Sequence, residues 1–167
     1  EVLDKSNWID GVTNRQIIKE IARISRAAHC QLVCVDQGWG GWLIQGLMDA
    51  GIPTKGIGFQ WKPTPDRVKA NNYSATNAQN MRAEMHLDLQ NLIEHHQFDM
   101  HVDAYDKVKD VLPFVLCDRK ANGKIQVRPK IEIRKSIGRS PDELDSLLLA
   151  IHAMIVFFGE ELTFTDE

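Results

Sequence analysis

The stretch Leu32-Val33-Cys34-Val35-Asp36-Gln37-Gly38-Trp39-Gly40-Gly41 decides the fold, because an apolar run ends on one carboxylate and then breaks into glycines. Continuous apolar character over 31–36 predicts a buried strand of a parallel sheet, covered on both faces, with a glycine loop at its carboxyl end. Trp42, Leu43, Gly46, Leu47 and Met48 then recur at helical spacing as far as Ala50-Gly51, a stop signal, and 52–59 reads as a second strand. Strand, helix, strand is the parallel crossover of α/β folds, where ligands bind beyond the carboxyl ends of the strands. Asp36 stands at such an end. Its plainer reading is a cap for the helix that follows.

Upstream, Ile17, Ile18, Ile21, Ala22 and Ile24 predict a helix over 13–28 with Thr13 as N-cap, preceded by a turn at 7–11 and by Val2 and Leu3, which read as strand. Downstream, Pro63 and Pro65 mark 61–72 as a loop, and a helix follows over 75–94 with Ala78, Met81, Met85, Leu89, Leu92 and Ile93 near one face. A helical segment is expected within 99–111 and a strand at 112–117. Asn122-Gly123 is a hairpin signal between that strand and 124–128. The last helix opens at Pro141 behind Ser140 as N-cap and runs to about Phe158.

The 167 residues, 43% of them hydrophobic, suit one α/β domain spanning 1–167. A net charge of −3 excludes a broadly cationic protein, so nucleic acid would have to be met by a local patch. Cys30, Cys34 and Cys117 are odd in number and lack CxxC spacing, which fits reduced core thiols. With no apolar run near the roughly 20 residues of a membrane span and no signal-peptide pattern at Glu1, a soluble, cytoplasmic protein is expected.

The glycines at 38, 40 and 41 do not make a phosphate loop. No GxxxxGK[ST] is present, and Leu43 stands where a dinucleotide fingerprint needs its last Gly or Ala, so a tight strand-to-helix turn is favoured. Asp142 and Asp145, three apart at a helix start, share a face beside a stripe of Leu144, Leu147, Leu148 and Ile151. The helix dipole accounts for Asp142 and Glu143, and less well for an acid among leucines. Carboxylates held out of water repel one another unless a cation intervenes, and Mg²⁺ prefers such oxygens. If Asp36 meets Asp142 and Asp145, the three can hold two metal ions that clamp a phosphodiester. Between Asp118 and Arg139 lie Arg119, Lys120, Lys124, Arg128, Lys130, Arg134, Lys135 and Arg139 against only Asp118 and Glu132: a solvated hairpin, or a basic ribbon that holds a phosphate backbone. His95, His96 and His101 lack HExxH spacing and read as surface residues.

Together these residues resemble the C-terminal nuclease domain of tailed-phage large terminase subunits, a ribonuclease H-like fold. The resemblance rests on the strand ending Val35-Asp36, on Asn80-Met81-Arg82-Ala83-Glu84-Met85, on Gly123-Lys124-Ile125-Gln126-Val127 leading to Lys130, and on Gly138-Arg139-Ser140-Pro141-Asp142-Glu143-Leu144-Asp145-Ser146-Leu147. The last is similar to the family's SPDxxDAL pattern, with Ser146 in place of Ala. It implies a mixed sheet flanked by helices, with an added basic β-hairpin. It implies an endonuclease dependent on two Mg²⁺ or Mn²⁺ ions that cuts concatemeric double-stranded DNA in the host cytoplasm, partnered by a portal or procapsid and a terminase small subunit. Asp36 would be the middle catalytic acid, Asp145, assisted by Asp142, the last, and Lys124, Arg128, Lys130, Arg134, Lys135 and Arg139 would bind DNA. The family's first acid has no counterpart here, Asp4 and Asp10 lying in poor contexts, so the expectation is that the first strands and an ATPase motor precede Glu1. The alternatives are another ribonuclease H-like nuclease such as a junction resolvase, or a DNA-binding or assembly module without metals.

Overall fold

The computed structural model describes residues 11–159; the strand read at Val2 and Leu3, most of the turn at 7–11, and Asp4 and Asp10 lie outside them. The chain divides into two compact units, one ending at Phe59 and the other beginning at Gln60.

The first unit is built from helix α1 (Asn14–Ala27), strand β1 (Val33–Asp36), helix α2 (Gln37–Asp49) and strand β2 (Thr54–Ile57). Thr13 caps α1 in a reciprocal box: its hydroxyl accepts from Gln16 N–H, and the Gln16 side chain accepts from Thr13 N–H at 2.7 Å. Ile17, Ile18, Ile21 and Ala22 of α1 then pack on Leu43 and Leu47 of α2, closing a core with Ile52. Ile24 falls off that face and is exposed. β1 and β2 pair in parallel, Val33 opposite Thr54 and Asp36 opposite Ile57. All four residues of β1 are half-buried, against the expectation of a strand covered on both sides.

No glycine loop follows β1. Helix α2 begins at Gln37, so Gly38, Gly40 and Gly41 occupy its opening turns. Packing explains the glycine at 40: a Cβ there would stand 2.5 Å from Val35 Cγ1, whereas one at Gly41 would meet nothing within 4 Å. The helix could not lie so close on its own strand with a side chain at position 40.

The second unit carries two short helices, α3 (Pro65–Lys69) and α4 (Tyr73–Asn77), then the central helix α5 (Met81–Glu94) and α6 (Val102–Val108). A 3₁₀ turn at Leu112–Phe114 precedes strands β3 (Cys117–Arg119) and β4 (Ile125–Val127), and helices α7 (Lys130–Ile137) and α8 (Asp142–Phe157) complete the unit. The segment read as loop at 61–72 thus contains α3. The helix read from 75 starts at Met81, because Asn80 caps it by accepting from Ala83 N–H at 3.0 Å. Pro113 lies in the 3₁₀ turn, so the strand expected over 112–117 begins only at its last residue, Cys117, and runs to Arg119. The hairpin stands as read: β3 and β4 are antiparallel around Gly123 at φ +80°. It is fastened to the α4–α5 junction, where Gln79 N–H donates to Ile125 C=O at 2.8 Å and Lys124 Nζ donates to Thr76 C=O. Residues 130–137 are helix, so the basic stretch is only partly ribbon.

Helix α5 was expected to show one apolar face. Instead it is buried without interruption from Met81 to Leu89, against α4, β4 and α8, while Ile93 is exposed. Among the described residues, the strands make one parallel and one antiparallel two-stranded sheet. The three cysteines are free thiols, but Cys30 and Cys117 are exposed and do not belong to the core, against expectation. No helix among the described residues is long and apolar enough to cross a membrane.

The two neighbouring glycines yield opposite expectations. Gly40→Ala should lower the urea midpoint, its overpacking against the stiff, β-branched Val35 costing about 1–3 kcal/mol. Gly41→Ala should raise the midpoint through helix propensity by up to about 1 kcal/mol.

Candidate metal centre

The start of α8 carries Asp142 and Asp145 on one face, and Lys130, the first residue of α7, reaches both. Its Nζ lies 2.7 Å from Asp142 Oδ1 and 2.8 Å from Asp145 Oδ2. Gly138 makes this possible. At φ +74° it ends α7 in the left-handed conformation, so the chain reverses and lays the start of α8 beside Lys130. Ser140, expected as an N-cap, instead donates its hydroxyl to Asp142 Oδ1 at 2.8 Å, and Pro141 holds the cap position. Asp145 is only 7% exposed, and its Oδ1 is buried with no hydrogen-bond partner. Arg82 of α5, also buried, donates through Nη1 to Arg128 C=O at 3.0 Å and contributes a second positive charge near Asp145.

Burial opposes ionisation at both acids, with opposite outcomes. At the half-exposed Asp142 the hydrogen bonds from Lys130 and Ser140 outweigh it and hold the carboxyl below its usual range. At Asp145 burial prevails over Lys130 and Arg82, and the carboxyl is pushed up. For Lys130 the cost of burial is more than offset by its two carboxylates, so its ammonium is held above its ordinary pKa. An unsatisfied buried carboxylate oxygen next to a second carboxylate, spanned by one monovalent cation, suits a hard divalent ion.

The other sequence-predicted residues divide. Asp36 does what its plainer reading said: its Oδ1 accepts from Gly38 N–H at 2.9 Å and caps α2. Lys130 turns inward to the acids. Arg128 pairs with Asp118 at 3.1 Å, and Arg139 with Glu143 at 2.5 Å. Arg134 and Lys135 stand exposed at the end of α7. His95, His96 and His101 are exposed, as read.

Sequence reasoning missed a second polar cluster on α5. Arg67 of α3 grips Asp88 with both ends of its guanidinium, each contact 2.7 Å, and Glu84 at 2.6 Å. Glu84 also accepts from Thr64 N–H at 2.7 Å, and His152 of α8 completes the group. Glu84 and Asp88 at i, i+4 spacing were the available signal. It was obscured by the apolar stripe between them.

An α/β chain with paired acids opening its last helix is the class these features define, and solved structures of the same fold extend it. The nuclease domain of the large terminase subunit gp2 of bacterial virus Sf6 matches with a TM-score of 0.63 at 16% identity, over 83% of this chain and 72% of that one. A point mutant of that domain with manganese matches with a TM-score of 0.64 at 15% identity, over 83% of this chain and 73% of that one. A mutant gp2c of the large terminase subunit from bacteriophage Sf6 with calcium gives a TM-score of 0.64 at 15% identity, over 83% and 72%. The fold is that of a phage-terminase nuclease domain, ribonuclease H-like as the sequence implied. No family profile and no curated protein matches the sequence.

One titration reports on the packing of α5. His86 is buried beside Arg82, and burial first, then that charge, depresses its pKa to about 3 from 6.5. Below 6.5 the unfolded chain takes up the proton and the folded one does not, so stability should fall progressively from about pH 6.5 to about pH 3. Urea midpoints across that range should flatten in His86→Leu relative to the unmodified chain.

Proposed function

We propose that the chain is the nuclease domain of a DNA-packaging terminase, a metal-dependent endonuclease that hydrolyses phosphodiester bonds of concatemeric double-stranded DNA. The observation that carries this reading is the convergence of Asp142 and Asp145 on Lys130, with one buried Asp145 oxygen left without a partner. The shared fold with terminase nuclease domains supports it, and the manganese and calcium named with those structures fit a carboxylate centre.

Asp142 and Asp145 are the residues that would hold Mg²⁺ or Mn²⁺, and the resemblance adds Asp36 as a further ligand. When bound, two such ions supply Lewis acidity, lowering the pKa of an attacking water and stabilising the leaving oxygen. The protein's own contribution is positioning. Lys130 holds two like charges together, Ser140 orients Asp142, and the walls around Asp145 exclude water, which strengthens the field at the reacting phosphate. Arg134 and Lys135 are the exposed cations for the DNA backbone, while Lys124, Arg128 and Arg139 serve it from positions already tied to protein partners. Residues 1–167 would act as one nuclease domain of a larger ATPase-nuclease in the host cytoplasm, with portal or procapsid and small subunit as partners.

Asp145→Asn should reduce cleavage of linear double-stranded DNA by at least about a hundredfold. It should also abolish the rise in melting temperature caused by Mg²⁺ and leave DNA binding nearly intact. Asp36→Asn in the full-length protein should behave alike. Undiminished cutting in either variant overturns the assignment of that residue, and a preference for branched over linear DNA points to a junction resolvase.

A further inference from the structure

The buried cluster of Glu84, Asp88 and His152 has no part in the proposed cleavage. Glu84 and Asp88 stand one turn apart on α5 and His152 comes from α8; all three are at most 3% exposed. Each presents one ligand atom, and these atoms lie within 4.8 Å of one another. Two carboxylates and an imidazole from neighbouring helices are the donor types of divalent-metal sites in helical proteins. The imidazole favours a later first-row ion such as Co²⁺ or Zn²⁺ over Mg²⁺, Ca²⁺ or Mn²⁺. His152 itself adds an independent sign: its Nδ1 is buried and makes no hydrogen bond. Buried polar atoms are nearly always paired, so such a nitrogen calls for a ligand.

Arg67 holds the place of a cation here. Its single charge faces two carboxylates at 2.6 and 2.7 Å, and burial keeps His152 below its ordinary pKa, so the group carries an excess negative charge. The arginine is delivered by α3, a five-residue helix that buries none of its residues. It can therefore withdraw without opening a core. We propose that Glu84, Asp88 and His152 form a second cation site, for a divalent transition-metal ion, in which Arg67 is the resident counter-cation that the ion replaces. The exchange neutralises the cluster, gives His152 its missing partner and frees the Arg67 side chain, while Thr64 N–H still ties the start of α3 to Glu84. Neither Asp142 nor Asp145 takes part, so the site is independent of the nuclease reading.

Cobalt(II) titration followed by visible ligand-field absorption tests this on the full chain carrying Asp142→Asn and Asp145→Asn, which removes the other centre. The expected result is one ion per chain, unaffected by excess Mg²⁺ and lost when His152→Asn is added. Adding Arg67→Met should tighten binding by about tenfold, because a competing like charge is gone. Should Arg67→Met unfold the chain, Co²⁺ or Zn²⁺ should restore its helical circular dichroism. Absence of Co²⁺ absorption both with and without Arg67 overturns the proposal. So does absorption that survives His152→Asn, or an unfolded Arg67→Met chain that neither ion restores.

Discussion

The burial of α5 is the constraint to which the second unit answers. A helix enclosed from Met81 to Leu89 takes Arg82, Glu84, His86 and Asp88 out of water with it, and buried charge is tolerated only when paired. Two groupings meet that demand. On one side Arg67 is drawn in from α3 to neutralise Glu84 and Asp88; on the other Arg82 is anchored on the Arg128 carbonyl and lends its charge to Asp145. The first grouping fixes the segment before α5, and the second ties α5 to the hairpin and to α8. The candidate metal centre thus receives a charge from the same helix that organises the core.

Much of this architecture was legible because it is local. Thr13 with Gln16 marks the start of α1, Ala50-Gly51 the end of α2, and Asn122-Gly123 the hairpin, each within a few residues of chain. What escaped is tertiary. The glycines after Asp36 look like a loop to any rule that counts glycines, and only the contact with Val35 shows that Gly40 is a packing requirement inside a helix. In the same way α5 reads as amphipathic from its apolar residues, because nothing in its own sequence says that the polar flanks are also covered.

The site shows the same division. Asp142 and Asp145 could be picked out by their spacing at a helix start, and Asp145 by its leucine neighbours. Lys130 could not be separated from the other basic residues of 118–139, since composition carries no direction. Its inward turn depends on the chain reversal at Gly138, twelve residues of geometry rather than one of chemistry. The fold that these elements share with terminase nuclease domains survives at 15–16% identity, which places its specification in pattern and packing rather than in residue identity.

Helix α7 has a consequence of its own. Lys130 opens it, Gly138 closes it, and the acids that Lys130 must reach begin four residues after Gly138. The helix is thus a spacer of set length between a cation and its carboxylates. One residue added or removed within it would rotate Lys130 by about 100° around the helix axis and shift it by about 1.5 Å. Helix α7 is therefore a stretch that can tolerate many substitutions and very few changes of length.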